Sequence, residues 1–165
     1  MILSEPLLNE LIHEAQGTRK MLEVVPTDKL GWQPHEKSMT IGRLAAHIAE
    51  IPGWLFETIK KDELDFANAD YNSTPLEDTA ALLNAFDENI NKGIEALTGA
   101  SDEKMLKLWT LRNGEQVYFQ MPRIGVVRTM VLNHVVHHRG QLSVYLRLLN
   151  IPVPGMYGPS ADEMG

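Results

Sequence analysis

Four stretches of this chain space their apolar residues three and four apart, and that pattern constrains its fold more than any other feature of the sequence. The first covers about Ser4 to Val25, with Leu8, Leu11, Ile12, Ala15 and Leu22 in step, and Pro26 ends it because proline has no N–H to continue the ladder. The second starts at a cap on Ser38 or Thr40 and reaches about Lys60, with a bend expected at Pro52, which would free the carbonyl of Ile48. The third opens at Thr74-Pro75-Leu76-Glu77, a capping box with proline at the first helical position. It carries Leu76, Ala80, Leu83, Phe86, Ile90, Ile94 and Leu97 and stops at Gly99. The fourth runs from about Pro122 to Asn150 and is closed by Pro152. Four such helices satisfy their stripes by facing one another, which predicts an all-α fold, an antiparallel four-helix bundle. Asp62 to Ser73 reads as a loop. Met105–Met121, interrupted by Asn113-Gly114, reads as a small β-hairpin between helices three and four, because both turn residues tolerate positive φ. The length suits one domain over residues 1–165.

Composition narrows the functions available. With 44% hydrophobic residues the chain can build a core without covalent staples, and with no cysteine it has no disulfide, no thiolate metal ligand and no thiol nucleophile. The formal charge of −7 comes without any Lys/Arg-rich run, which argues against nucleic acid as a partner. The apolar stretches fall short of a membrane span, and Met1-Ile2-Leu3-Ser4-Glu5-Pro6 lacks the basic start and apolar core of a secretion signal. The expected compartment is the cytoplasm.

Chemistry concentrates in the histidines. In His134-Val135-Val136-His137-His138-Arg139-Gly140-Gln141-Leu142, a rotation of roughly 100° per residue puts His138 about 40° from His134, in the arc of Val127, Val131, Leu142 and Tyr145. Imidazoles four apart stand one above the other, so they can converge on one metal ion. The same placement also suits two core histidines bonded to carbonyls or carboxylates, since either arrangement satisfies the ring nitrogens. A third ligand must come from another helix. His47 sits beside the stripe Ile41, Leu44, Ile48, Ile51 and Leu55, and Ala45 and Ala46 allow a neighbour to approach closely there. His13, beside Glu14, and His35, in a loop beside Glu36, read as surface residues.

The stretch Trp32-Gln33-Pro34-His35-Glu36-Lys37-Ser38-Met39-Thr40-Ile41-Gly42-Arg43-Leu44-Ala45-Ala46-His47 resembles the entry to helix two of DinB-like proteins. The His134–Leu142 segment is similar to that family's last-helix motif, and Tyr157-Gly158-Pro159-Ser160-Ala161-Asp162-Glu163 to its ending. The resemblance implies the DinB/YfiT-like fold, a four-helix bundle with three histidine ligands, which fall at His47, His134 and His138. It also implies kinship with thiol-dependent S-transferases and a maleylpyruvate isomerase of the wider superfamily.

Three neutral histidines with a vacant position form the open type of site that catalytic zinc uses, and nitrogen ligands also suit Ni²⁺, Cu²⁺ or Fe²⁺. Zinc or nickel is the expected cofactor. The expected function is a divalent-metal-dependent transferase that activates a low-molecular-weight thiol against a small electrophile; the alternatives are a metal-dependent hydrolase and a metal- or small-molecule-binding protein without turnover. Glu50, Gln141 and Tyr145 are the candidate catalytic residues, Trp54 a candidate pocket wall, and Arg139 projects away as a surface or interface residue. Leu132, Val136 and Leu146 project to the back of helix four, at roughly 160°, 200° and 120°, which predicts a cover there. Either the hairpin supplies it or a homodimer does, with Leu132 and Val136 near the interface.

Overall fold

The computed structural model describes residues 2–68 and 76–164. Helix α1, Ser4–Glu23, buries Leu7, Leu11, Thr18, Met21 and Leu22. Helix α2, Ile41–Glu50, begins on Thr40, whose side chain accepts the Arg43 N–H at 3.1 Å. A single 3₁₀ turn, Ile51–Gly53, then carries the chain into α3, Trp54–Lys60. The bend expected at Pro52 is therefore a tightened turn, and Asn89 reaches across to take the Ala49 carbonyl there at 2.9 Å. A Cβ on Gly53 would lie 2.7 Å from the Asn89 side-chain oxygen, so glycine is what lets the two segments close on each other.

Helix α4, Thr79–Leu97, starts later than the sequence pattern suggests. Its cap is Asp78, which accepts the Ala81 N–H at 2.7 Å, and Leu76 and Glu77 precede the helix. Thr74 and Pro75 of the expected capping box lie outside the described residues. The stripe is also turned: Leu82 is buried and Ala80 exposed. Gly99 stops the helix as expected, at φ +71°.

Four bundle positions follow. α1 packs on α4 and on α7 (Asn133–Leu148), and α2 packs on the same two helices, so α1 and α2 sit on opposite sides of the ring. One core cluster joins Met21, Leu22, Ile41, Leu44, Ile48, Phe86, Leu142 and Leu146; a second joins Leu7, Leu11, Ile51, Leu55, Val131 and Val135.

The hairpin is present, as β2, Leu108–Asn113, and β3, Gln116–Pro122, after a short helix α5, Asp102–Leu106. Its turn is Gly114-Glu115, one residue later than expected, with Asn113 paired to Gln116 and only Gly114 at positive φ, +59°. The presumed loop after Asp62 contains a strand, β1, Glu63–Asp65, which pairs in parallel with β2 to make a three-stranded sheet. Arg123, wholly buried, locks this sheet to the bundle: its guanidinium donates to the carbonyls of Thr58, Lys61 and Leu108 and to Asp62.

The fourth predicted helix is three segments. α6, Arg123–Val126, passes into a π-helical stretch, Val127–Leu132, before α7 begins. Helix α1 covers a second side of this helix, so Leu132 (4% exposed) and Leu146 (0%) belong to the chain's own core. Leu132 is thereby removed from any interface, while Val136 remains at the surface. Arg139 is the larger correction. It is 4% exposed rather than a surface residue, and it donates to the Glu14 carbonyl and carboxylate, to Thr18 and to Tyr157.

No helix among the described residues is long and apolar enough to cross a membrane.

Candidate metal centre

His47 lies three residues before the end of α2, and His134 and His138 on the first turns of α7, the helix against which α2 packs. Buried Ala45 and Ala46 flank His47, and the lack of bulk there lets its ring reach the other two. The His47 and His134 Nε2 atoms are 3.4 Å apart, and those of His134 and His138 2.8 Å. One ligand atom from each of the three rings lies within 4.8 Å of the others. Metal–nitrogen bonds of about 2.0–2.1 Å at tetrahedral angles would separate their nitrogens by about 3.4 Å, so the spacing fits a single ion.

The far side of each ring decides which nitrogen is free. His138 Nδ1 donates to the Gln141 side-chain oxygen at 2.7 Å, and His134 Nδ1 to the Met130 carbonyl at 3.3 Å. With both Nδ1 atoms protonated, the Nε2 atoms of the neutral rings carry only lone pairs. Two lone pairs facing across 2.8 Å repel unless a cation lies between them. A proton is a poor candidate, because burial and the neighbouring His138 and His47 push the His134 pKa down to about 4. Burial also lowers that of His138. Neutral, desolvated, acceptor-only nitrogens are what a divalent metal requires.

His47 completes the set less tightly. Its Nδ1 is buried and has no hydrogen-bond partner among the described residues, with the nearest Glu50 oxygen at 3.8 Å. Burial works to raise the pKa of the Glu50 carboxyl, but the His47 imidazole and the Arg43 guanidinium outweigh it and hold the group below the usual carboxylate value. Glu50 is thus an ionised acceptor a small rotation away from the one ring nitrogen still lacking a partner. Trp54 walls the group, its ring centroid 6.0 Å from that of His47 and 5.7 Å from that of His134.

Residues 3–165 match the family model described as the DinB family. The chain belongs to the DinB family. Among relatives of this DinB-family protein is the uncharacterized protein YrdA of Bacillus subtilis, 27% identical over 154 residues that make up 91% of this chain and 85% of that one. Among solved structures, a DinB-like protein from Bacillus cereus is 28% identical and superposes with a TM-score of 0.70 over 93% of this chain and 97% of its own. The DinB-like protein YjoA of Bacillus subtilis has the same TM-score at 18% identity, over 92% and 96% of the two chains, and is alike in fold.

The residues picked out in the DinB sequence divide into three groups. His47, His134 and His138 come together, with Glu50, Gln141 and Trp54 around them. Tyr145 points elsewhere: its hydroxyl donates to the Met39 carbonyl at 3.2 Å and its ring meets Trp32 edge-on. His13 and His35 are exposed, and His35 accepts the Lys37 N–H. The sequence reading missed the Met130 carbonyl as a partner of His134. Its role depends on the π-helical stretch, for which the apolar pattern carries no signal.

Proposed function

We propose that this protein is a divalent-metal-dependent enzyme, a transferase that activates a low-molecular-weight thiol for attack on a small electrophile. The observation that carries the reading is the pair of acceptor-only Nε2 atoms 2.8 Å apart, with the third histidine beside them. His47, His134 and His138 would hold the ion. Bound there, a zinc or nickel ion supplies a Lewis acid that lowers the pKa of a ligand in the open position, a thiol or water.

The remaining work falls to the chain. Gln141 fixes the tautomer and plane of His138, and Met130 those of His134. Glu50, ionised and close to His47, is the group placed to take up a proton or to orient that ring. Trp54 excludes water from one side of the group. Because the chain has no cysteine, any thiolate nucleophile would enter with a cosubstrate. The reducing conditions of a cytoplasm, where we place the protein, would keep such a thiol available.

Metal analysis of protein purified without a nickel column tests the centre. About one ion per chain is expected, lost in His134→Ala and kept in His13→Ala; stoichiometric metal in His134→Ala would overturn the assignment. Turnover of electrophile panels with and without added thiols tests the reaction, and equal metal-dependent rates under both conditions would replace the transferase by a hydrolase.

A further inference from the structure

Away from Trp54, the histidine cluster opens to solvent along the face of α2. The side chains of His47, Glu50 and Arg43 are 14%, 24% and 39% exposed, so access widens from the ring outward to the guanidinium. Arg43 lies four residues before His47, one helical turn and about 6 Å along the axis. Two contacts show that α2 runs antiparallel to α7: the Tyr145 hydroxyl reaches the Met39 carbonyl, and the His47 ring lies 4.7 Å from that of His138. Arg43 falls between them, level with Gln141, the partner of His138. A guanidinium carries five N–H donors in a planar fork. Among the described residues the Arg43 fork uses one, an Nη1 contact to Glu50 Oε2 at the long distance of 3.4 Å. The same oxygen lies 3.8 Å from His47 Nδ1. Once His47 gives its Nε2 lone pair to an ion, Nδ1 carries the proton, and that N–H draws Oε2 toward itself and away from Arg43.

We infer that Arg43 is a specificity residue of this site, receiving the carboxylate of a small substrate whose thiol takes the open position beside the three histidines. The inference rests on the metal and thiol reading above for the second of those contacts. The fork of Arg43 matches a carboxylate through two parallel N–H···O bonds. Glu50, close by, tolerates one added negative charge better than the two of a phosphate. The exchange of partners keeps every charge paired, with Glu50 turning to His47 and the substrate taking its place on Arg43. In a chain of formal charge −7, a guanidinium one turn from the cluster also gives an anionic substrate a local attraction that a neutral one lacks.

The test is calorimetric titration of the zinc-loaded and metal-free protein with 3-mercaptopropionate and with 3-mercapto-1-propanol, a thiol of similar length without the charge. The Arg43 Nε–H signal of ¹⁵N-labelled protein, assigned by its loss in Arg43→Met, reports the contact directly. With zinc bound, the acid should bind about tenfold more tightly than the alcohol, the lower end for hydrogen bonds to a charged group because Arg43 is half-exposed. It should also shift the Arg43 signal saturably, and Arg43→Met should bring the two affinities within twofold by weakening the acid alone. Equal affinities in the unaltered protein overturn the inference without need of a variant, and so does a preference that survives in Arg43→Met. Zinc content of the same samples keeps the two readings apart. Full loading with equal affinities removes the role of Arg43 alone. An acid-specific shift of the Arg43 signal in protein that takes up no zinc keeps the carboxylate contact and removes the metal centre.

Discussion

Replacing Gln141 by leucine takes away the oxygen that accepts from His138 Nδ1 at 2.7 Å and little else, because Gln141 is exposed and its backbone stays helical. The His138 ring then loses both its orientation and the bond that keeps its proton on Nδ1. Loss of such an outer partner typically weakens metal binding by about 10–100-fold, or about 1.4–2.7 kcal/mol. Folding stability of the metal-free protein should change by less than about 0.5 kcal/mol, as for surface substitutions generally. Gln141→Glu keeps an acceptor, now charged, and should bind metal at least as tightly as the unaltered chain. Zinc affinity is read by competition with a chromophoric chelator, and stability by urea denaturation of the metal-free proteins. A Gln141→Leu dissociation constant within twofold of the starting value would refute the claim that this hydrogen bond sets up the His138 lone pair. A loss shared equally by Gln141→Glu, which keeps both the shape and the acceptor, would show that the neutral amide itself, and not acceptance, was what mattered.

Arg139→Met should destabilise the fold by about 3–5 kcal/mol, because it takes the buried guanidinium from the Glu14 carboxylate, which keeps only the Tyr157 hydroxyl among the described residues, and leaves Thr18 and Tyr157 without their donor; a melting temperature unchanged in the metal-free protein would contradict this. The C-terminal segment should loosen in acid. Hydrogen bonds from Arg147 and the Val153 N–H hold the Asp162 pKa at about 2, against an ordinary value of 3.8. Since the folded pKa is the lower one, this contribution is complete above about pH 4 and is lost as pH falls through about 2. Asp162→Asn should therefore flatten the fall in melting temperature between those pH values, and an unaltered slope would count against the contact. On assembly, we propose a homodimer through the exposed back of α7, where Val136, Val144 and Leu148 are 38%, 56% and 56% exposed. Sedimentation should give a dimer that Val136→Glu dissociates, and a monomer at micromolar concentration for the unaltered chain removes the idea.

The histidine cluster was legible because its signal is local. His134 and His138 share a helix face by spacing alone, and two alanines beside His47 mark where another helix comes close. Thr40 as a cap, Pro52 as a bend and Gly99 as a stop are likewise properties of one or a few neighbouring residues. What escaped depends on distant partners. β1 is three residues long and acquires its identity from β2, more than forty positions later, so no alternation could reveal it. Arg139 reads as solvent-facing because its burial is created by Glu14 and Thr18 of α1, on the far side of the sequence. Leu132 was misplaced because the helix that covers it, α1 with Leu7 and Leu11, lies more than a hundred positions earlier in the chain.

The segment that holds Leu132 bears on how the chain is compared with its kin. In the π-helical stretch Val127–Leu132 the Asn133 N–H reaches back five residues, to Arg128, so the coil accommodates an extra residue without displacing what flanks it. A relative lacking that residue would run through the same space as ordinary α-helix and still deliver both histidines to the same point. An alignment that opens a single-residue gap between positions 127 and 132 therefore marks an insertion absorbed by the coil, and gives no reason to score the ligands beyond it as lost.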